Sequence, residues 1–511
     1  MKAAVAEKWT GTHEDKQDME KLQLSQVVRR NFGRIAMFGF ASTLICTWEI
    51  VLGALSLSLP NGGTAGLFWN YIIVVVGFGM VYASIAELGS VIPTSGGQYY
   101  WVSVLAPRRY HKYLSYVTGW LCTTAWQTGI SSSAFLAGTI IQGLFVLNIP
   151  GYQFKAYHGT LLVIGITFFA IIFNTILAKK LPLIEGLLVF LHILGVVIVI
   201  PLWVLAPLRD AHSVFVDFTN NGGWSTNGLS MMIGMLPVAL SLLGLDCSVH
   251  MAEETKDSSR TLPVSLMLGF VVNALLGFFV LVTVIFTLGD IETILATPTG
   301  YPFLQIFYNT TRSLTGTNIM AAVIIINLTA SSIAVLATAS RQLWAFARNK
   351  GLPFSFMLAP AILPHQLPLN ALFVSLVITI LLSLINIGSS AALNAIYSLN
   401  AGSLLTSYMI TIGCMLFRRL QGHKLPPSRW SLGRWGLPIN VGAMCYLLPV
   451  YVFSFFPGVV NPTPVTMNWG IVMYGGVVIF STLYYIFRGR FHYQPPKEQV
   501  RGEFLIEVEL E

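Results

Sequence analysis

Twelve apolar runs punctuate the chain, and each is long enough to cross the ~30 Å hydrocarbon core of a bilayer, which takes about 20 helical residues. They span 34–58, 68–92, 113–147, 157–178, 181–205, 228–252, 264–288, 317–346, 369–388, 391–417, 436–456 and 466–487. In lipid every backbone N–H and C=O must find its partner inside the protein, so such runs fold as helices. Of 511 residues, 55% are hydrophobic and only 10% charged, against about 25% charged in a soluble protein. That balance excludes a disordered chain, a nucleic-acid-binding domain with a solvated basic face and an ordinary soluble enzyme. The predicted fold is an all-α integral membrane protein, with a cytosolic tail over 1–33, a twelve-helix domain over 34–487 and a second cytosolic tail over 488–511.

The basic residues test the count, because cytosolic loops collect Lys and Arg. With the amino terminus in the cytosol, 26 of the 29 fall on that side and only Lys155, Arg209 and Arg312 outside. A missed run would invert every later loop. The net charge of +8 therefore reports orientation, and no nucleic acid is needed to explain it. The sequon Asn309-Thr310-Thr311 falls outside, where glycosylation is possible. The first 33 residues hold no early apolar stretch, so the first run is expected to act as an uncleaved signal anchor.

Several chemistries lack their residues. The five cysteines lie in apolar runs without the spacing of a zinc site or redox dithiol, so neither a metal nor a disulfide framework is expected. No GxxxxGK[ST] loop is present to cradle a nucleotide. The nine histidines are scattered, with no nucleophile and positioned base. No enzyme activity and no cofactor are expected; a secondary transporter driven by an ion gradient fits.

Ionisable groups inside the membrane cost roughly 2.5–3.5 kcal/mol each on insertion scales. Glu49 and Asp246 lie deepest, while Glu87 and Glu185 lie about one turn inside the ends of the second and fifth runs. Glu49 is either a buried structural carboxylate or an anionic site for a cationic group. Trp48 beside it offers a cation–π face, but helical neighbours point about 100° apart, so the two converge only where the helix unwinds. In the sixth run Pro237 and Gly244 weaken the helix before Asp246. Interrupted helices at matching places in two halves point to a transporter's site, and the matching pair here is the first and sixth runs. The alternative is a packing kink capped by Asp246. Glu185 and His192 are seven apart and share one helix face. A histidine, with its ordinary pKa of about 6.5, suits proton loading and release, although it also serves as a packing residue. Asn327, Thr329, Ser331 and Ser332 in the eighth run suit either an ion path or interhelical contacts.

Three segments resemble the amino acid–polyamine–organocation superfamily, specifically its fungal amino acid and choline transporters. They are AELGS at 86–90 followed by PTSGGQYYW at 93–101, LDCSVHMAEE at 245–254, and SRQLWAFARNKGLP at 340–353, where the family has Asp in place of Asn349. The similarity covers about 34–487. It implies two five-helix inverted repeats, about 34–205 and 228–417, with the last two helices, about 436–487, peripheral. It also implies unwinding near Cys46–Glu49 and Leu243–Asp246. It suggests Trp120, Ala125, Gln127, Ser331, Ser398 and Asn400 as cavity-lining candidates; together with the residues read above, the expected substrate site is Thr47, Trp48, Glu49, Trp120, Gln127, Gly244, Asp246 and Ser398, and the expected proton-coupling residues are His192, Glu49, Ser331 and Ser332. Where relatives place a Gly-rich stretch in the first helix, this chain reads Cys46-Thr47-Trp48-Glu49. The implied function is a plasma-membrane, proton-driven permease for an amino acid or related amine such as 4-aminobutyrate. Choline is the alternative substrate, and a non-transporting nutrient sensor an alternative class. The expected partners are the small-molecule substrate, the coupling proton and the lipid bilayer.

Overall fold

A computed structural model describes residues 10–24, 26–360, 367–388 and 391–495. The tail segments 1–9 and 496–511, with Lys2, Lys8, Lys497 and Arg501, lie outside the described residues.

The helices follow the apolar runs closely. In chain order they are α1 (His13–Lys21), α2 (Arg34–Ile45), α3 (Thr47–Gly53), α4 (Gly63–Val91), α5 (Gln98–Leu105), α6 (His111–Asn148), α7 (Ala156–Thr175) and α8 (Leu181–Gly195). Then come α9 (Asn227–Ile233), α10 (Met235–Leu240), α11 (Cys247–His250), α12 (Ser258–Thr287), α13 (Pro302–Thr311) and α14 (Leu314–Arg348). The last four long helices are α15 (Leu369–Gly388), α16 (Ala391–Leu420), α17 (Gly436–Phe453) and α18 (Gly470–Tyr484), and short helical turns between and after these elements are left unnumbered. Among the described residues eleven helical spans are long and apolar enough to cross a membrane. The sixth run is not one of them, because it is broken into α9, α10 and α11. Its Pro237 and Gly244 are the residues that weaken it.

The long helices pack pairwise. α6 lies against α14 and α16, α4 against α12, and α2 against α8. A Cβ on Gly39 would stand 2.6 Å from the Glu185 carbonyl oxygen, so only glycine lets α2 approach α8 so closely. That approach brings Thr43 Oγ1 to 2.7 Å from Glu185 Oε2. Side chains facing outward on these helices, such as Leu183, Leu187 and Leu194 on α8, are exposed, as lipid contact requires.

Two segments lie beyond what the apolar pattern predicts. The amino-terminal tail folds as α1, started by a capping box in which Thr12 and Asp15 satisfy each other's backbone N–H. Asp15 also accepts from the N–H groups of Asp257 and Ser258, at 2.8 and 2.9 Å, at the start of α12. Its partner Arg30 is 3.1 Å away and donates to the carbonyls of Ala252 and Thr255. Nearby, burial raises the affinity of Asp257 for its proton, but hydrogen bonds and charge from Arg429 and Arg34 outweigh this and hold it below the usual carboxylate range. At the other end of the chain the Asn349 amide donates to Gln494 O at 2.6 Å and accepts from Tyr99 OH at 3.0 Å. A carboxylate could not make the first of these bonds, which accounts for Asn at this position. Both tails thus sit on one face, called here the tail face.

Candidate functional site

The first apolar run is interrupted near its middle, at Cys46. α2 stops at Ile45, Cys46 takes φ 38° and ψ 51°, and α3 restarts at Thr47. A non-glycine residue in this left-handed region carries about 1–3 kcal/mol of strain. Cys46→Gly is therefore expected to raise the melting temperature of the purified protein and Cys46→Val to lower it. In the sixth run no helix spans 241–246, and Gly244 has φ 104°. Tyr82 OH bonds to the Leu242 carbonyl there and receives the Leu245 N–H at 3.4 Å.

A cavity of about 360 Å³ lies between the two breaks. Leu44 and Ile45 reach it from the first, Leu243 and Gly244 from the second. Its polar walls include Ser132, Ser331 and Asn400, and its aromatic walls Trp126, Tyr301 and Tyr397. Phe154, 55% exposed, and Gly300 carry it to the face opposite the tails. None of its lining residues is Asp, Glu, Lys, Arg or His.

Of the residues singled out from sequence, Gly244, Ser331 and Asn400 line this cavity. The others do not. Trp120 packs on Phe480 of α18, and Ser398 receives the Asn468 amide at 2.9 Å. Gln127 donates to Ala339 O, Ser332 pairs with Ser133 at 2.9 Å, and Ala125 gives its carbonyl to Asn400. Thr47 is fully buried. Asn309 lies in the last turn of α13, half-buried, accepting from Gln305 at 2.8 Å.

Trp48 and Glu49 do converge, but on His192 of α8. Trp48 Nε1 donates to His192 O at 3.0 Å, and its ring stacks on the imidazole. Glu49 Oε1 is 2.9 Å from His192 Nδ1. On the far side of the ring, Nε2 is 3.1 Å from Asn273 Oδ1, and the Asn273 amide nitrogen is committed to Gly269 O. The Asn273 oxygen therefore accepts and Nε2 carries a hydrogen. The contact between Nδ1 and Glu49 then needs one more proton, held by imidazolium or by the carboxyl. All three side chains are fully buried, and Glu49 Oε2 has no partner among the described residues. Cys46 brings a third metal-ligating atom within 4.8 Å of this pair, yet its thiol donates to Thr43 O and Asn327 O.

Asp246 lies at the tail-side end of the second break. It accepts from Gln98 Nε2 at 2.6 Å and from Tyr408 OH, and lies 3.4 Å from His250 Nε2. Neither Gln98 nor Tyr408 carries a signal in an isolated sequence; Gln98 was visible only as part of a motif. Below this point the three motif segments meet. Ser95 Oγ receives the Glu253 N–H, Glu253 pairs with Arg348 at 2.6 Å, and Glu254 pairs with Arg341 at 2.8 Å. With Arg30 and Asp15, these pairs close the tail side of the bundle while the cavity reaches the opposite face. Reversing one pair by Arg348→Glu is expected to reduce transport at least about fivefold, and adding Glu253→Arg to restore much of it; buried pairs tolerate a lone charge poorly. A double-mutant cycle on uptake rates measures this.

A helical membrane bundle with a closed tail face, an uncharged cavity and two interrupted helices is the architecture of a solute carrier. The amino acid permease family model matches residues 32–478, and the chain belongs to that family. It is similar to an uncharacterized amino-acid permease of Schizosaccharomyces pombe, 30% identical over 96% of this chain and 91% of the relative. Amino-acid permease 2 of Neurospora crassa is 27% identical, over 97% of this chain and 91% of the relative. The choline transporter of Saccharomyces cerevisiae is also 27% identical, over 93% and 85%. The chain is thus a multi-pass membrane permease and not an enzyme.

Proposed function

We propose that this permease is a proton-coupled plasma-membrane symporter of a small zwitterion, an amino acid or related amine such as 4-aminobutyrate. The observation that carries this reading is the cavity between two helix breaks with no ionisable acid or base in its walls. Burying a net charge there would be costly, whereas a zwitterion brings its own counter-charge. Backbone C=O and N–H groups freed at helix ends suit its ammonium and carboxylate, with Ser132, Ser331 and Asn400 beside them.

The fold reading that goes with it has twelve crossings, counting the interrupted sixth, in inverted repeats over about 34–205 and 228–417 with 436–487 peripheral. The tail face is cytosolic, which agrees with the distribution of Lys and Arg, and the cavity faces outward. Glu49 and His192 carry the coupling proton behind α3 instead of touching substrate. Choline is the second reading, supported by the choline transporter's similarity and by Trp126, Tyr301 and Tyr397, whose faces suit a quaternary ammonium. A competition screen of radiolabelled 4-aminobutyrate, common amino acids and choline in permease-deficient yeast decides between them. Uptake of a zwitterion that choline fails to inhibit is expected; choline uptake alone would reverse the assignment.

A further inference from the structure

We infer that Asp246 and His250 form a second proton-binding couple on the cytosolic floor of the cavity, which must give its proton to the cytosol before that floor opens. The inference rests on the proton-coupled reading above and extends it to a site separate from Glu49 and His192.

The geometry fixes the tautomer. His250 Nδ1 is 3.0 Å from the Ser95 carbonyl, which can only accept, so Nδ1 carries a hydrogen. Nε2 then faces Asp246 Oδ2 at 3.4 Å and has no hydrogen-bond partner of its own among the described residues. Without a further proton, its lone pair points at a carboxylate that already receives Gln98 and Tyr408. Both side chains are fully buried. One added proton turns this arrangement from a buried anion into a neutral pair, the form that low-dielectric surroundings favour.

The surrounding groups leave that charge uncompensated. α4 presents Tyr82, α6 presents Cys122 and α16 presents Tyr408, all hydroxyl or thiol groups, and α11 itself adds Cys247. Glu185 of α8, a further acid, lies within electrostatic reach of Cys247. The bases of α14, Arg341 and Arg348, are each taken by a carboxylate. Arg34 of α2 pairs with Asp257, and Arg260 of α12 is exposed.

The position links substrate to gate. Trp126, which lines the cavity, lies edge-on to the His250 ring at 5.7 Å. Three and four residues after His250, Glu253 and Glu254 make the ion pairs that close the tail face. Loss of the proton leaves a buried carboxylate whose charge is relieved by water entering from that face, so deprotonation favours inward opening. The step is a transfer from imidazolium to cytosolic water, breaking one N–H bond and forming one O–H bond.

Oriented proteoliposomes with fixed outer pH and inner pH varied from about 8 to about 6, across the histidine range, test this. Wild-type uptake should fall severalfold as the inside is acidified, and His250→Gln should keep only the shallower fall that the shrinking proton gradient imposes through Glu49 and His192. Tyr408→Phe, a change with little steric cost, removes a donor that stabilises the Asp246 anion, so its midpoint should move to higher inner pH. An inner-pH profile in His250→Gln like that of wild type, or a Tyr408→Phe midpoint that stays put or falls, would overturn the inference. Wild-type uptake indifferent to pH on both sides would instead sink the proton-coupled reading itself, and that is seen before any variant is made.

Discussion

Glu49→Gln is expected to abolish the response of uptake to outer pH while the protein still reaches the membrane. The glutamine amide can still donate to His192 Nδ1, so packing around the 2.9 Å contact is kept, but the shared proton is gone. Coupling energies between sites commonly amount to roughly 5- to 150-fold, and a loss within that range is expected when substrate is driven by a proton gradient. Glu49→Ala is harsher, because removing one partner of a buried pair costs about 3–5 kcal/mol, and should lower the amount of folded protein as well. Uptake at several outer pH values, normalised to surface protein, separates the two. A Glu49→Gln profile like that of wild type would reduce Glu49 to a structural acid.

Gly244→Val is expected to remove transport altogether. With φ at 104°, any L side chain is strained by about 1–3 kcal/mol, and a β-branched one most. A Cβ itself would fit, at 3.6 Å from Trp126 and 3.8 Å from Leu44. The two methyl groups of valine would then project between the helix breaks into the space assigned to substrate. Gly244→Ala should keep a fraction of the rate. Near-normal uptake by Gly244→Val, with normal surface expression, would show that the break is not part of the binding site.

Much of the bundle is legible in the sequence because a membrane leaves so few options. Run length and Lys/Arg placement specify the spans, and Pro237 with Gly244 marks the broken sixth. The break at Cys46 is harder to see, since the left-handed residue is not glycine and only the resemblance places it near Cys46–Glu49. Side-chain direction is what the sequence hides. One left-handed residue turns Trp48 and Glu49 toward α8, so an acid that reads as a substrate anchor ends against His192. The shared face of Glu185 and His192, in contrast, follows from spacing alone, and both do face α2 and α3. Gln98, Tyr408 and Asn273 join the buried clusters from segments 81 to 162 positions away only through tertiary contact. The folded tail is hidden in the sequence for a different reason. Its Thr12 and Asp15 have the spacing of a capping box, but a polar stretch beside a membrane domain reads as solvated tail.

Substituted-cysteine labelling tests the central claim, that substrate binds in the uncharged cavity between the helix breaks. Ser132→Cys, placed in a chain whose exposed Cys445 is replaced by serine, offers a thiol in the cavity wall to an impermeant reagent added outside. The account predicts labelling from that side, slowed at least about tenfold by saturating transported substrate. Labelling at an unchanged rate in the presence of a substrate that the same protein still transports would place the binding site elsewhere.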